Sequence, residues 1–214
     1  MCYTLGMLYE KRLMRMESTL RHKQPDLQLF CEDITSSQNL SAIMRTCEAV
    51  GVLYLYYSTK SDADLKVHKT ISQGAHRWIV VKRIAYHDKE AFVLQKKAEG
   101  FLLLVSALEA QSKGFRDVDY TSKVVLIMGN EKEGVSQALQ SMADATIMIP
   151  MQGMVQSLNI SVATAVILYE AQRQLEACAQ HKTAQLSQEE RDLLQESWLR
   201  RDVIIRRSKG KINK

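Results

Sequence analysis

An α/β fold, with a mostly parallel sheet covered by helices on both faces, is what this sequence of 214 residues predicts. Three observations carry the expectation. The runs Val52–Tyr57, Phe101–Ala107 and Val124–Met128 are apolar almost throughout instead of alternating, as strands buried on both faces must be. Helical patterns separate them, which supplies the crossovers that parallel neighbours need. The last strands run into glycine-containing loops, Gly129–Gly134 and Met151–Gln156, at the strand ends where open α/β sheets bind ligands. Apolar residues make up 46% of the chain, enough for a sizeable core.

The elements follow in order. Residues 1–27 read as a basic amphipathic helix with Leu5, Leu8, Tyr9, Leu13, Met16 and Leu20 at helical spacing. It stops ahead of Pro25, whose ring pushes the preceding residue out of the helical region. Leu27–Ile34 reads as a strand and Thr35–Gln38 as a polar turn. Asn39–Gly51 is then a short helix, capped by Asn39, ended by glycine, burying Leu40, Ile43, Met44, Cys47 and Val50, with Arg45 near its middle. Strands follow at Val52–Tyr57 and Trp78–Ile84, with the weakly patterned stretch 62–78 between them. Lys89–Glu99 is a helix, Phe101–Ala107 a strand, 114–123 an exposed segment, Val124–Met128 a strand and Ser136–Met142 a short helix. The apolar strand Ala145–Ile149 is closed by Pro150, which has no N–H to continue a ladder. After the Met151–Gln156 loop, Leu158, Val162, Ala165, Val166 and Tyr169 set the apolar stripe of a helix of about five turns. Ser157 and Asn159 stand at its start, where side-chain oxygens meet free backbone N–H groups. Leu186–Trp198 is the last helix, opened by a Ser187/Glu190 capping box and anchored by Leu193, Leu194 and Trp198.

The net charge of +5 is unevenly spread. Residues 200–214 hold seven Lys/Arg against one acidic residue, and Lys11 to Lys23 hold five basic residues opposed only by Glu17. Basic ends around a near-neutral middle point to a periphery that meets a polyanion, and Lys11, Arg12, Arg15, Arg200, Arg201, Arg206, Arg207 and Lys209 are the candidate contacts. Four scattered cysteines form no CxxC pair and five histidines are dispersed, so neither a disulfide framework nor a metal site is expected. The sequence shows no signal peptide and no apolar run of membrane-spanning length, so a cytoplasmic protein is expected. The glycine loops match neither a G-x-G-x-x-G nor a P-loop, which disfavours dinucleotide and Walker-type sites. Residue chemistry alone thus reaches an α/β protein that binds a nucleotide-like ligand and has basic ends for nucleic acid.

Three segments carry a sharper likeness. The first is Asn39, Arg45 and Gly51; the second is Ile127-Met128-Gly129-Asn130-Glu131-Lys132-Glu133-Gly134; the third joins Ile149-Pro150-Met151 to Ser157-Leu158-Asn159-Ile160-Ser161-Val162-Ala163. In order and spacing they resemble the three motifs of the SpoU branch of the SPOUT RNA methyltransferases, and within it the TrmH-type tRNA guanosine-2′-O-methyltransferases. The resemblance covers about residues 24–178.

The resemblance implies a SPOUT fold with a deep trefoil knot at about 125–160, inside a catalytic domain of residues 27–178. A helical arm, 1–26, and a C-terminal helix with basic tail, 179–214, would flank it as RNA-binding extensions. It implies S-adenosyl-L-methionine as donor, held by Ser106, Gly129, Ile149, Met151, Ser157 and Leu158, with no metal. It implies methyl transfer to a ribose 2′-hydroxyl of tRNA, most simply a D-loop guanosine, by a homodimer whose active site lies at the interface. Asn39 and Arg45 would stand near the methyl group, with Glu131, Asn159 and Ser157 completing the catalytic set. Arg45 either activates the hydroxyl or stabilises the developing alkoxide, Glu131 orients Arg45 or accepts the proton, and Asn159 with Ser157 braces the loops. Ribosomal RNA as substrate, and a non-catalytic RNA-binding protein of the same fold, are the alternatives.

Overall fold

The structure, a computed structural model, describes residues 2–61, 63–130, 132–178 and 183–208, with side chains described within 9–202. In chain order the elements are α1 (Cys2–Arg21), β1 (Leu27–Cys31), α2 (Ser37–Ala49), β2 (Tyr54–Tyr57), α3 (Lys69–Ser72), β3 (Val80–Arg83), α4 (Lys89–Ala98), β4 (Leu102–Ser106) and β5 (Lys113–Gly114). Then come β6 (Val124–Met128), α5 (Gln137–Met142), β7 (Ala145–Met148), α6 (Ile160–Ala177) and α7 (Gln188–Ser208). The sheet runs β3-β2-β1-β6-β4-β7-β5, and every paired neighbour is parallel. The predicted α/β architecture is therefore the observed one.

Successive side chains of a strand point to opposite faces, and the two cores follow that rule. Leu27, Leu29, Cys31, Leu126 and Met128 face α2 and α6, packing on Ile43, Met44, Ile167 and Leu168. Phe30, Leu103, Val105, Val125 and Ile127 face the other way, toward Val93 of α4 and Leu139 of α5. A third, smaller cluster holds α1 to α7 through Met16, Leu20 and Trp198.

Several local expectations need correcting. Helix α1 ends at Arg21, ahead of the turn in which Gln24 pairs with Val52. Strand β1 ends at Cys31 because Asp33 takes a positive φ of 51° and turns the chain. The cap of α2 is Ser36, whose side chain accepts from the Asn39 N–H, so the Asn39 side chain is released from capping. Gly51 does end α2: at φ 86° a Cβ there would lie 2.4 Å from the His22 carbonyl oxygen. The weak stretch 62–78 contains α3 and a 3₁₀ turn at Ala75–Arg77, and the exposed segment contributes the two-residue β5. The capping box of α7 is formed in both directions, Ser187 N–H to Glu190 at 2.8 Å and Glu190 N–H to Ser187 Oγ at 3.2 Å. That helix runs ten residues past Trp198, so part of the basic tail is helical, and Leu193 is exposed where anchoring was expected. On α6 the face packed inward is Ile160, Thr164, Ile167, Leu168, Ala171 and Leu175. The Val162 and Tyr169 side of the predicted stripe faces outward, 48% and 54% exposed.

Candidate active site

The carboxyl ends of β4, β6 and β7 lie side by side in the sheet, and the loops leaving them enclose a cleft of about 640 Å³. All six residues expected to hold the donor, Ser106, Gly129, Ile149, Met151, Ser157 and Leu158, line it. The backbone must come close here. A Cβ on Gly129 would lie 1.9 Å from the Gly134 carbonyl carbon, so only glycine lets the hoop 129–134 close. The hoop is fixed by the Gly134 N–H to the Asn130 carbonyl at 3.0 Å, while Asn130 Oδ1 accepts from the Lys132 and Glu133 N–H groups at 2.9 and 2.8 Å.

The first and third motifs meet at this cleft. Asn159 is the cap of α6, its Oδ1 accepting from the Ser161 N–H at 2.9 Å, and its Nδ2 donates to Asn39 Oδ1 at 3.2 Å. Both readings of Asn159, helix cap and site residue, are thus satisfied by one side chain, its oxygen capping through Ser161 and its amide nitrogen donating to Asn39. Ser157 is exposed on the cleft wall beside it. Glu131 lies outside the described residues.

Arg45 is elsewhere. It is exposed, six residues or about 9 Å along α2 from Asn39. It lines a separate groove of about 360 Å³ with Arg12, Arg15, Gln73, Arg77 and Trp78. A single chain therefore brings Asn39, Asn159 and Ser157 together and leaves Arg45 out of the donor cleft.

The basic candidates divide. Lys11 is exposed. Arg12 is half-buried, paired with Asp202 at 2.5 Å and set over the Trp78 ring at 5.7 Å, so it ties α1 to α7. Arg15 is exposed on the groove. Arg200 pairs with Glu196 at 2.5 Å and Arg201 donates to the Arg77 carbonyl at 3.3 Å, both still largely in solvent. The side chains of Arg206 and Arg207, and Lys209 altogether, lie outside the described residues.

Sequence reasoning gave no site role to Glu109, Asn130, Lys132, Glu133, Gln140 or Gln156, polar residues on the cleft wall. Asn130 could have been found from its place inside the glycine-bracketed loop. Gln140 sits on α5 and meets the cleft only through tertiary packing, donating to the Val135 carbonyl at 2.6 Å. Glu133, at the rim, is bound by Lys60 at 2.5 Å, and this hydrogen bond holds its carboxyl below the usual carboxylate range. Among the described residues no group of three or more His, Cys, Asp and Glu is placed to hold a metal ion. No described helix is long and apolar enough to cross a membrane.

A cleft of this volume suits a nucleoside-sized ligand. Bare backbone at Gly129 and polar edges from Ser106, Asn130 and Gln156 fit S-adenosyl-L-methionine, whose adenine and ribose need hydrogen bonds.

Comparison with known proteins gives the same reading. The family model for the SpoU rRNA Methylase family matches residues 26–169. The chain is 42% identical over 203 residues, 95% of both chains, to the tRNA (guanosine(18)-2′-O)-methyltransferase of Aquifex aeolicus strain VF5. The crystal structure of the A. aeolicus TrmH/SpoU tRNA modifying enzyme superposes with a TM-score of 0.87 at 43% identity, over 92% of this chain and 98% of that one. The SpoU methyltransferase AviRb of Streptomyces viridochromogenes, in complex with AdoMet, superposes with a TM-score of 0.62 at 27% identity, over 74% of this chain and 62% of that one. With the second and third motifs and Asn39 of the first assembled at one cleft, and the likeness running over 95% of the chain, the protein belongs to the SpoU rRNA Methylase family, in its TrmH branch.

Proposed function

We propose that this protein is a tRNA (guanosine-2′-O-)-methyltransferase acting on guanosine 18 of the D-loop. The observation that carries the reading is the Asn39–Asn159 hydrogen bond, which seats the first motif against the third at the wall of the donor cleft. The near full-length likeness to a tRNA (guanosine(18)-2′-O)-methyltransferase supports the choice of nucleotide.

S-adenosyl-L-methionine, when bound, supplies an electrophilic methyl group on a sulfonium centre. The ribose oxygen must then be aligned with that methyl and lose its proton as the C–O bond forms and the C–S bond breaks. Asn39 and Asn159 are placed to position the ribose. Arg45 holds the adjoining phosphate and stabilises the developing alkoxide, a role that needs no proton taken from a strongly basic guanidinium. Glu131 orients Arg45 or takes the proton.

Arg45 reaches that chemistry from a second copy of the chain. Its place outside the donor cleft of its own chain supports a homodimer, as does the outward apolar side of α6 with Val162 and Tyr169. We also read about 125–160 as a deep trefoil knot. The insertion of β6 between β1 and β4, with the chain then returning past β4 to β7, supports it. The layer of α1 and α7 is read as the RNA-binding periphery, and the cytoplasm as the site of action.

The test is transfer of labelled methyl from the donor to bulk tRNA and, separately, to ribosomal RNA, followed by mapping of the modified nucleotide. Label at guanosine 18 of tRNA is the expected result. Label confined to ribosomal RNA would move the substrate, and no transfer with donor bound would leave an RNA-binding protein with a relic cleft.

A further inference from the structure

We propose that Glu32 is a positioning residue for the donor site, clasping both ends of the loop 129–135. The inference rests on the reading of the β4/β6/β7 cleft as the donor site and adds a residue to it. At the loop's entry, the Glu32 N–H donates to the Met128 carbonyl at 2.8 Å, extending the parallel register of Cys31 with Met128 by one bond. At its exit, the Glu32 carboxylate accepts from the Ser136 N–H at 2.7 Å. One residue thus fixes the points where the chain leaves β6 and where it enters α5.

Between those points lie Gly129, Asn130, Gly134 and Val135, all on the cleft wall. The clasp is buried and has a cation beside it. Glu32 is 1% exposed, and its other carboxylate oxygen lies 2.7 Å from Lys89 Nζ, without an aligned hydrogen bond. Lys89, from α4, also donates to Asp33 at 3.1 Å, and Asp33 is held in turn by the Ser58 hydroxyl at 2.9 Å. A buried carboxylate needs such a partner to stay ionised. The charge matters for strength: a carboxylate accepting a backbone N–H makes a shorter, stronger bond than a neutral acceptor. Ser136 is ready for it, since its own Oγ is occupied in capping α5 at the Leu139 N–H.

Glu32 touches no reacting atom, so its effect runs through the shape of the hoop. Losing the Ser136 bond frees the exit, and the backbone donors and acceptors of Gly129, Asn130, Gly134 and Val135 then no longer stand preformed for the donor.

Two variants separate this from a general role in stability. Glu32→Gln keeps an acceptor for the Ser136 N–H, and Lys89 keeps Asp33. The double variant Glu32→Leu/Lys89→Met removes the acceptor and both charges of the pair, while the Asp33 carboxylate, which loses Lys89, keeps its bond from the Ser58 hydroxyl at 2.9 Å. Donor affinity by calorimetry, tRNA affinity at fixed salt, and amide exchange at Ser136 are the readouts. Glu32→Gln should bind donor within about 3-fold of the parent. The double variant should bind donor at least about 10-fold more weakly, with tRNA affinity within about 2-fold and faster exchange at Ser136 but not in β6. Donor affinity unchanged in the double variant, equal losses of donor and tRNA affinity, or failure of it to fold would each overturn the proposal. A parent protein that binds no donor would instead remove the donor-site reading, and faster Ser136 exchange in the double variant would still report the clasp.

Discussion

Arg45 and Lys23 carry the same charge in opposite surroundings. Arg45 is exposed on a groove and open to RNA, so its removal should cost chemistry and not fold. Arg45→Ala is expected to lower single-turnover methyl transfer at least about 100-fold, the size of losing a preorganised electrostatic donor, with donor affinity unchanged. A near-parental rate with tRNA bound would return Arg45 to an ordinary solvated helix residue. Lys23 is fully buried with no hydrogen-bond acceptor for its ammonium among the described residues, 5.9 Å from the Trp198 ring. Burial pulls its pKa down from 10.5 to about 8, partly offset by Glu48 and Cys47. The unfolded chain therefore binds more protons than the folded one between those values, so this residue makes stability rise as pH climbs from about 8 toward 10.5. Below pH 8 the folded state carries the whole cost of a buried charge, on the order of 3 kcal/mol. Lys23→Met is expected to raise the urea midpoint at pH 7, with the advantage over the parent shrinking by pH 10. An advantage independent of pH, or a loss at pH 7, would contradict this account. In the sequence Lys23 reads as one more basic residue of the arm, because burial between α1, α2 and α7 is a property of packing and not of pattern.

At the scale of elements, periodicity recovers every strand of more than two residues and each helix of six residues or more, and it misses what packing alone creates. Strand β5 is two residues long, too short for any alternation, and α3 is a single turn whose Lys69-Thr70-Ile71-Ser72 has no stripe to read. Pattern misplaces the cap of α2 because Ser36, Ser37 and Asn39 are all competent caps, and only the backbone geometry selects Ser36. The donor cleft is legible because five of its six residues sit within the second and third motifs and Ser106 ends an apolar strand, whereas Glu109 and Gln140 arrive from segments without any motif. Helix α6 is legible as a helix but not in its orientation. Apolar residues ring most of it, so the sequence does not say which side meets its own core. The outward side makes a prediction at this scale. Val162→Glu/Tyr169→Glu places charge on a face that is solvent-exposed within one chain, so the fold should lose no more than about 0.5 kcal/mol per site. If that face joins two copies, sedimentation should change from dimer to monomer and methyl transfer should fall, since Arg45 would no longer reach the other copy's cleft. A parent that sediments as a monomer and transfers methyl at full rate would end the dimer proposal.

For the whole molecule, the question is how a net charge of +5 is used. The basic residues of both ends converge because α1 packs on α7, around Trp78 and Trp198, which lie 5.3 Å apart edge to face. Part of that charge is structural. Asp202 is buried against Arg12, so cutting the chain at residue 200 would break an ion pair of the α1–α7 contact as well as remove cations. A cut that leaves Asp202 in place isolates electrostatics: deleting residues 209–214 removes three lysines and keeps every described residue of the donor cleft and the Arg45 groove. Each lysine that neutralises a phosphate contributes about 0.7–0.9 to the slope of log affinity against log salt. The deletion should therefore make that slope shallower by up to about 2–3 and weaken tRNA binding most at low salt, where counterion release is worth most. Donor affinity should not change. Binding curves of parent and truncated protein across a salt series decide it: equal slopes would mean that the last six residues serve solubility, and that the polyanion is met by basic residues before 209.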